Sequence, residues 1–145
     1  MDLRRLRAGE WVAAASGVTL LVSLFLPWYG PDISAWESFT VIDVLLAFIA
    51  AAGVLLAVVT ATHSIPAVPL ALSTLVVIAG LVGVLLVLFR VADLPDAANG
   101  REWALWLGLA GAAGVPVGAW VAMSDERVPA GPPSVDEIPI AAPRP

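Results

Sequence analysis

VIDVLLAFIAAAGVLLAVVTAT, residues 41–62, decides the fold: it holds one charged residue, Asp43, close to its start. A hydrocarbon core about 30 Å thick is crossed by roughly 20 such residues. A segment in lipid must satisfy its backbone polar groups within itself, which a continuous run of this length does only as an α-helix. Three more stretches, 11–28, 66–89 and 103–123, are equally apolar and carry no charged residue. The sequence therefore predicts an all-α fold, an integral membrane four-helix bundle with antiparallel up-down topology. Residues 1–10 form an N-terminal segment, 11–123 the membrane domain, and 124–145 a Pro-rich tail too poor in apolar surface to order itself.

Composition supports the same reading. Of 145 residues, 60% are hydrophobic and 13% charged, against roughly 25% charged in an ordinary soluble domain. Cysteine is absent, which excludes disulfides, thiolate nucleophiles and lipid attachment through sulfur. The net charge of −5 is spread over both ends and the loops and defines no cationic partner. All seven basic residues are Arg, and with abundant Ala, Gly, Val, Leu and Pro this composition points to a high-GC bacterial genome. Arg4, Arg5 and Arg7 before an apolar run resemble a signal peptide. That run continues into Phe25-Leu-Pro-Trp-Tyr29 without a small-residue cleavage site, so the first span is expected to stay in the chain.

Arginine placement predicts orientation, because short cytoplasmic loops retain basic residues. Arg4, Arg5, Arg7 and Arg127 lie on one side, against Arg90 and Arg101 on the other. Both termini are expected in the cytoplasm and the protein in a plasma membrane. Tryptophan and tyrosine favour the interfaces, so Trp28, Tyr29, Trp36, Trp103 and Trp106 are expected to form an outer aromatic surface, with Trp11 and Trp120 at the inner boundary. His63-Ser-Ile65 is a connection short enough to make the second and third spans antiparallel neighbours. Pro66 and Pro69 fall in the first turn that follows, where proline is tolerated.

Ser34-Ala-Trp-Glu37 fits a capping box and opens a short interfacial helix, or a helix extension, over 34–40. Thr40-Val-Ile-Asp43 offers a second, competing box. A carboxylate at Asp43 is costly at a membrane boundary unless hydrogen-bonded, paired or neutral, and Arg90 and Arg101 are its expected partners. Asp43, Arg90, Arg101 and Glu37 are accordingly the ligand or ion-pair candidates. Gly108, Gly111, Gly114 and Gly118 are the helix-packing candidates, with Gly114-Val-Pro-Val-Gly118 matching the small-xxx-small pattern of close helix approach. Pro116 inside that pattern is expected to kink the helix. Ser16, Thr19 and Ser23 share a face of the first span, and Ser73 with Thr74 lies in the third; packing explains hydroxyls of this kind, since they bond to the preceding turn.

No catalytic residue, metal set or cofactor motif is legible, and basic runs that would hold nucleic acid are absent. His63 alone makes a poor metal site. The lipid bilayer is the expected partner, with a homo-oligomer or a larger membrane complex as further expectations.

Phe25-Leu-Pro-Trp-Tyr29, Ser34-Ala-Trp-Glu-Ser-Phe39, Ile42-Asp-Val-Leu-Leu46 and Arg101-Glu-Trp103 with Trp106-Leu-Gly108 resemble a group of small four-helix membrane proteins of actinobacteria. The resemblance implies the same tetraspan topology and brings no activity with it. The leading functional expectation is a non-enzymatic accessory, scaffold or assembly subunit. The alternative is a small transport or ligand-binding protein using Asp43 and the outer aromatic cleft, and the third is a membrane enzyme acting on lipid.

Overall fold

The computed structural model describes residues 6–30, 32–38, 40–62, 67–93 and 100–125. Five helices follow in order: α1 (Ala8–Ser23), the single turn α2 (Ala35–Ser38), α3 (Thr40–Thr62), α4 (Ala67–Ala92) and α5 (Trp103–Asp125). The fold is an all-α helical bundle. Val41–Thr62, Ala71–Ala92 and Trp103–Ser124 are each long and apolar enough to cross a membrane, and α1 is a shorter apolar helix of 16 residues. By length and composition this is a membrane protein.

The helices run antiparallel, as the close approaches require. Gly17 meets Ala50 and Gly53 meets Ala13, setting α1 against α3. Gly9 meets Ala122, while Gly111 meets Leu20, setting α1 against α5 along its length. Gly83 touches Ile49 across α3 and α4, and Gly80 touches Pro116 across α4 and α5. α1 packs most extensively against α5, then α3, and α4 closes the ring between α3 and α5. One apolar cluster, built on Leu20, Leu24, Trp28, Leu46, Val87 and Leu105, fills the end of the bundle that carries α2. A second, with Ala13, Leu56, Val76 and Val115, fills the other end.

Observed ends differ from the sequence reading mainly in α1. Helix was expected over 11–28; it occupies Ala8–Ser23. Pro27 disfavours helical geometry at the residue before it, and the chain instead tightens: Phe25 N–H donates to Val22 O at 3.1 Å and Leu26 N–H to Ser23 O at 3.0 Å. At the start, Glu10 accepts from the Arg7 backbone N–H at 3.0 Å, which extends the helix below Trp11. α2 and α3 are distinct elements, so 34–40 holds a separate short turn rather than an extension of α3. Pro69 falls in the first turn of α4 as expected. His63, Pro66, Phe39, Arg4, Arg5, Arg127 and most of the 124–145 tail lie outside the described residues.

Candidate functional site: a buried charge pair beneath an aromatic cap

Asp43 lies in the first turn of α3 and Arg90 in the last turn of α4. Antiparallel packing brings these two ends together, and Arg90 Nη2 stands 3.5 Å from Asp43 Oδ1 with both side chains fully buried. Of the two arginines expected as partners, Arg90 is the one. Arg101 is exposed and donates from Nε to Val91 O at 2.7 Å instead, tying the start of α5 to the end of α4.

Arg90 is held from three further directions. Nη2 donates to Ala35 O on α2 at 3.4 Å. Its guanidinium carbon sits 5.3 Å from the centroid of the Tyr29 ring, a cation–π arrangement that gains strength where water is excluded. The Tyr29 hydroxyl donates to Arg90 O at 2.8 Å. Burial pushes the Tyr29 phenol above its usual range, so it remains a neutral donor.

The segment joining α1 to α2 folds inward to seal this pair. Trp28 Nε1 donates to Ser23 O at 2.7 Å, and the Ser23 hydroxyl donates to Leu20 O at 2.7 Å. Trp28 and Tyr29 backbone N–H groups both donate to Ile33 O, at 3.0 and 3.3 Å. Gly30 makes the return possible with a φ of 82°, a left-handed conformation that costs other residues more. Glu102 N–H then donates to Trp28 O at 3.0 Å, clamping the cap to the start of α5.

This geometry corrects the expected aromatic surface. Trp28 and Tyr29 are fully buried core residues, because each has a polar atom that finds a partner inside the bundle. Trp103 and Trp106 remain exposed, and Trp36 is half-buried against Phe25 with ring centroids 5.8 Å apart.

Glu37 stands apart from Asp43 and does structural work at α2. Its Oε2 accepts from Ser34 N–H at 2.8 Å and from the Ser34 hydroxyl at 2.9 Å. The backbone bond first, then the hydroxyl bond, hold its carboxyl below the usual range. Together with Phe25, Pro27, Asp32 and Ser34 it lines an open cleft of about 300 Å³ that does not include Asp43.

All four candidate packing glycines of α5 point into the bundle. Added carbon at Gly108 would come within 2.6 Å of the Trp28 ring; Gly111 lies against Leu20, Gly114 against Ser16 and Gly118 against Ala13. The glycine stripe is therefore covered by α1 and the cap, and offers no outward face. Hydroxyls behave as packing groups: Thr19 donates to Ala15 O at 2.9 Å, and Thr74 approaches Met123 Sδ at 3.7 Å.

Sequence reasoning missed Glu10, a buried carboxylate. Its signal was its place in the first turn of a helix that begins earlier than hydropathy alone indicates. No group of three metal-ligating side chains occurs among the described residues.

Fold and site define a class: an all-α protein with helices long and apolar enough for a membrane, in which the buried Asp43–Arg90 pair lies beneath an aromatic cap. The chain matches no protein-family model, no curated protein and no solved structure.

Proposed function

We propose that the protein is a four-span, non-enzymatic accessory or scaffold subunit of a bacterial plasma membrane, with both termini cytoplasmic and the aromatic cap outside. The observation that carries this reading is where the polar chemistry sits. Asp43 and Arg90 are fully buried and face each other, so the charge at this end of the bundle is spent on its partner rather than presented to a solute. The glycine stripe is consumed by contacts within the chain. What remains for a partner is the outside: exposed Trp103 and Trp106 beside the cap, and α4, which buries the smallest share of its span.

Four crossings follow if α1, lengthened by the apolar residues 24–28, spans with the other three helices; an even number then leaves both ends on one side. The arginine bias supports the cytoplasmic side, and the resemblance to actinobacterial tetraspan proteins agrees with it. Native purification from the source membrane, followed by mass spectrometry of everything still bound, tests the reading. A stoichiometric membrane-protein partner is expected; a lone monomer carrying a small molecule would overturn it.

A second reading rests on the cleft of Phe25, Pro27, Asp32, Ser34 and Glu37. A ligand-binding membrane protein would use this cleft without Asp43, which the cap seals off.

A further inference from the structure

The chain between α1 and α2 folds back on itself, with Pro27 bridged to Ser34, and the turn brings Phe25, Pro27, Asp32, Ser34 and Glu37 around the open cleft of about 300 Å³. Asp32 and Glu37 are both exposed, so their carboxylates are within reach of a solute. Glu37 accepts both Ser34 bonds on Oε2, and those bonds favour its ionised form by holding the carboxyl below the usual range. Neither carboxylate pairs with an arginine among the described residues, because the two arginines at this end are committed elsewhere: Arg90 to Asp43 and Arg101 to Val91 O. Asp93 and Glu102 add further negative charge to the same end. The remaining wall is aromatic. Phe25 is 66% exposed and is steadied from one side by Trp36, at 5.8 Å between ring centroids.

We propose that this cleft binds an alkylated ammonium group of the trimethylammonium type, with Asp32 and Glu37 supplying the charge and Phe25 the aromatic contact. The inference goes beyond the accessory reading and rests on the cleft of the second one, to which it gives a ligand class. Two carboxylates brought to one cleft without a counter-charge favour a cation there. A hard divalent cation needs an oxygen-rich shell, and no group of three metal-ligating side chains occurs among the described residues. A compact primary ammonium wants an acceptor for each N–H, and Phe25 and Pro27 offer none from their side chains. A quaternary ammonium has no N–H to satisfy, spreads its charge over methyl groups and is attracted to the face of an aromatic ring. The cleft holds the matching mixture, two carboxylates beside a phenyl ring and a proline. Such a group arrives either as a free solute or as the headgroup of a lipid.

The test holds the full chain in nanodiscs of phosphatidylglycerol, which carries no ammonium, with empty nanodiscs as the blank. Choline and its uncharged tert-butyl isostere are titrated separately at constant ionic strength, and binding is read by saturation-transfer NMR of their methyl signals. Choline should bind, and the isostere about tenfold more weakly, because it keeps the shape and loses every charge contact. Asp32→Asn and Phe25→Leu both change exposed side chains, and each should weaken choline about two- to fivefold. Asp32→Asn should leave the isostere unaffected. Repeating the titration in phosphatidylcholine nanodiscs separates the two sources: loss of choline binding there places the lipid headgroup in the cleft, and unchanged binding marks a free solute. No choline binding in phosphatidylglycerol, equal binding of the isostere, or choline binding untouched by both variants overturns the proposal. A molecule without a cationic nitrogen recovered with the chain from its source membrane would keep the ligand-binding reading and overturn this ligand class alone.

Discussion

Asp43 shows how a single charge is made compatible with an apolar bundle. A buried ion pair is weak evidence of net stabilisation, since desolvation offsets much of the attraction, yet removing one partner strands the other. Asp43→Asn should therefore destabilise the protein by about 3–5 kcal/mol, measured by denaturant unfolding in micelles. A combined Asp43→Leu, Arg90→Met variant should recover most of that loss, and an Asp43→Asn protein as stable as wild type would show that the pair contributes nothing. Glu37 makes a separate, pH-dependent contribution. Its folded pKa lies below the ordinary 4.5, so stability from its Ser34 bonds is fully present above that value and is lost as pH falls through the lower, folded one. Tryptophan fluorescence followed from about pH 6 to about pH 3 should show loosening around α2 that Glu37→Gln, lacking the titration, does not reproduce.

Helix identity was legible because hydropathy reports it directly, whereas helix ends and facing were legible only in part. Residues 41–62 read as a span because nothing interrupts their apolar run, and α3 occupies Thr40–Thr62. Residues 24–28 are just as apolar and are not helical, because Pro27 and the Trp28–Ser23 bond decide their conformation and hydropathy does not register either. The same blindness put Trp28 and Tyr29 on the surface: their residue types suit an interface, and only long-range partners, Arg90 and Glu102, show that they are core. Gly118 was visible as a packing residue, but not its partner. Its absent side chain admits the Ala13 backbone, so Gly118→Leu should force α1 and α5 apart and cost about 1–3 kcal/mol or more. Val117→Leu, at the exposed position just before it, should change little. Thermal unfolding of the two variants side by side separates crowding at the crossing from a general effect of bulk in α5.

At the level of the whole molecule, orientation is the most accessible question, because the chain has no cysteine of its own. Asp32→Cys, in the exposed cap, should react with a membrane-impermeant maleimide on intact cells, whereas Ser124→Cys at the end of α5 should react only after lysis; the reverse pattern would invert the topology. The cap also ties together parts of the chain that are made at different times. Asp43 is synthesised well before Arg90, and Trp28 waits for Glu102, so neither the charge pair nor the seal over it exists while α3 alone is entering the membrane. Were α3 to insert alone, its Asp43 carboxyl would have to enter without Arg90 beside it, which is costly in a hydrocarbon core. Entry of α3 and α4 together as a hairpin would neutralise that charge on the way in, and the arrival of α5 would then close the structure.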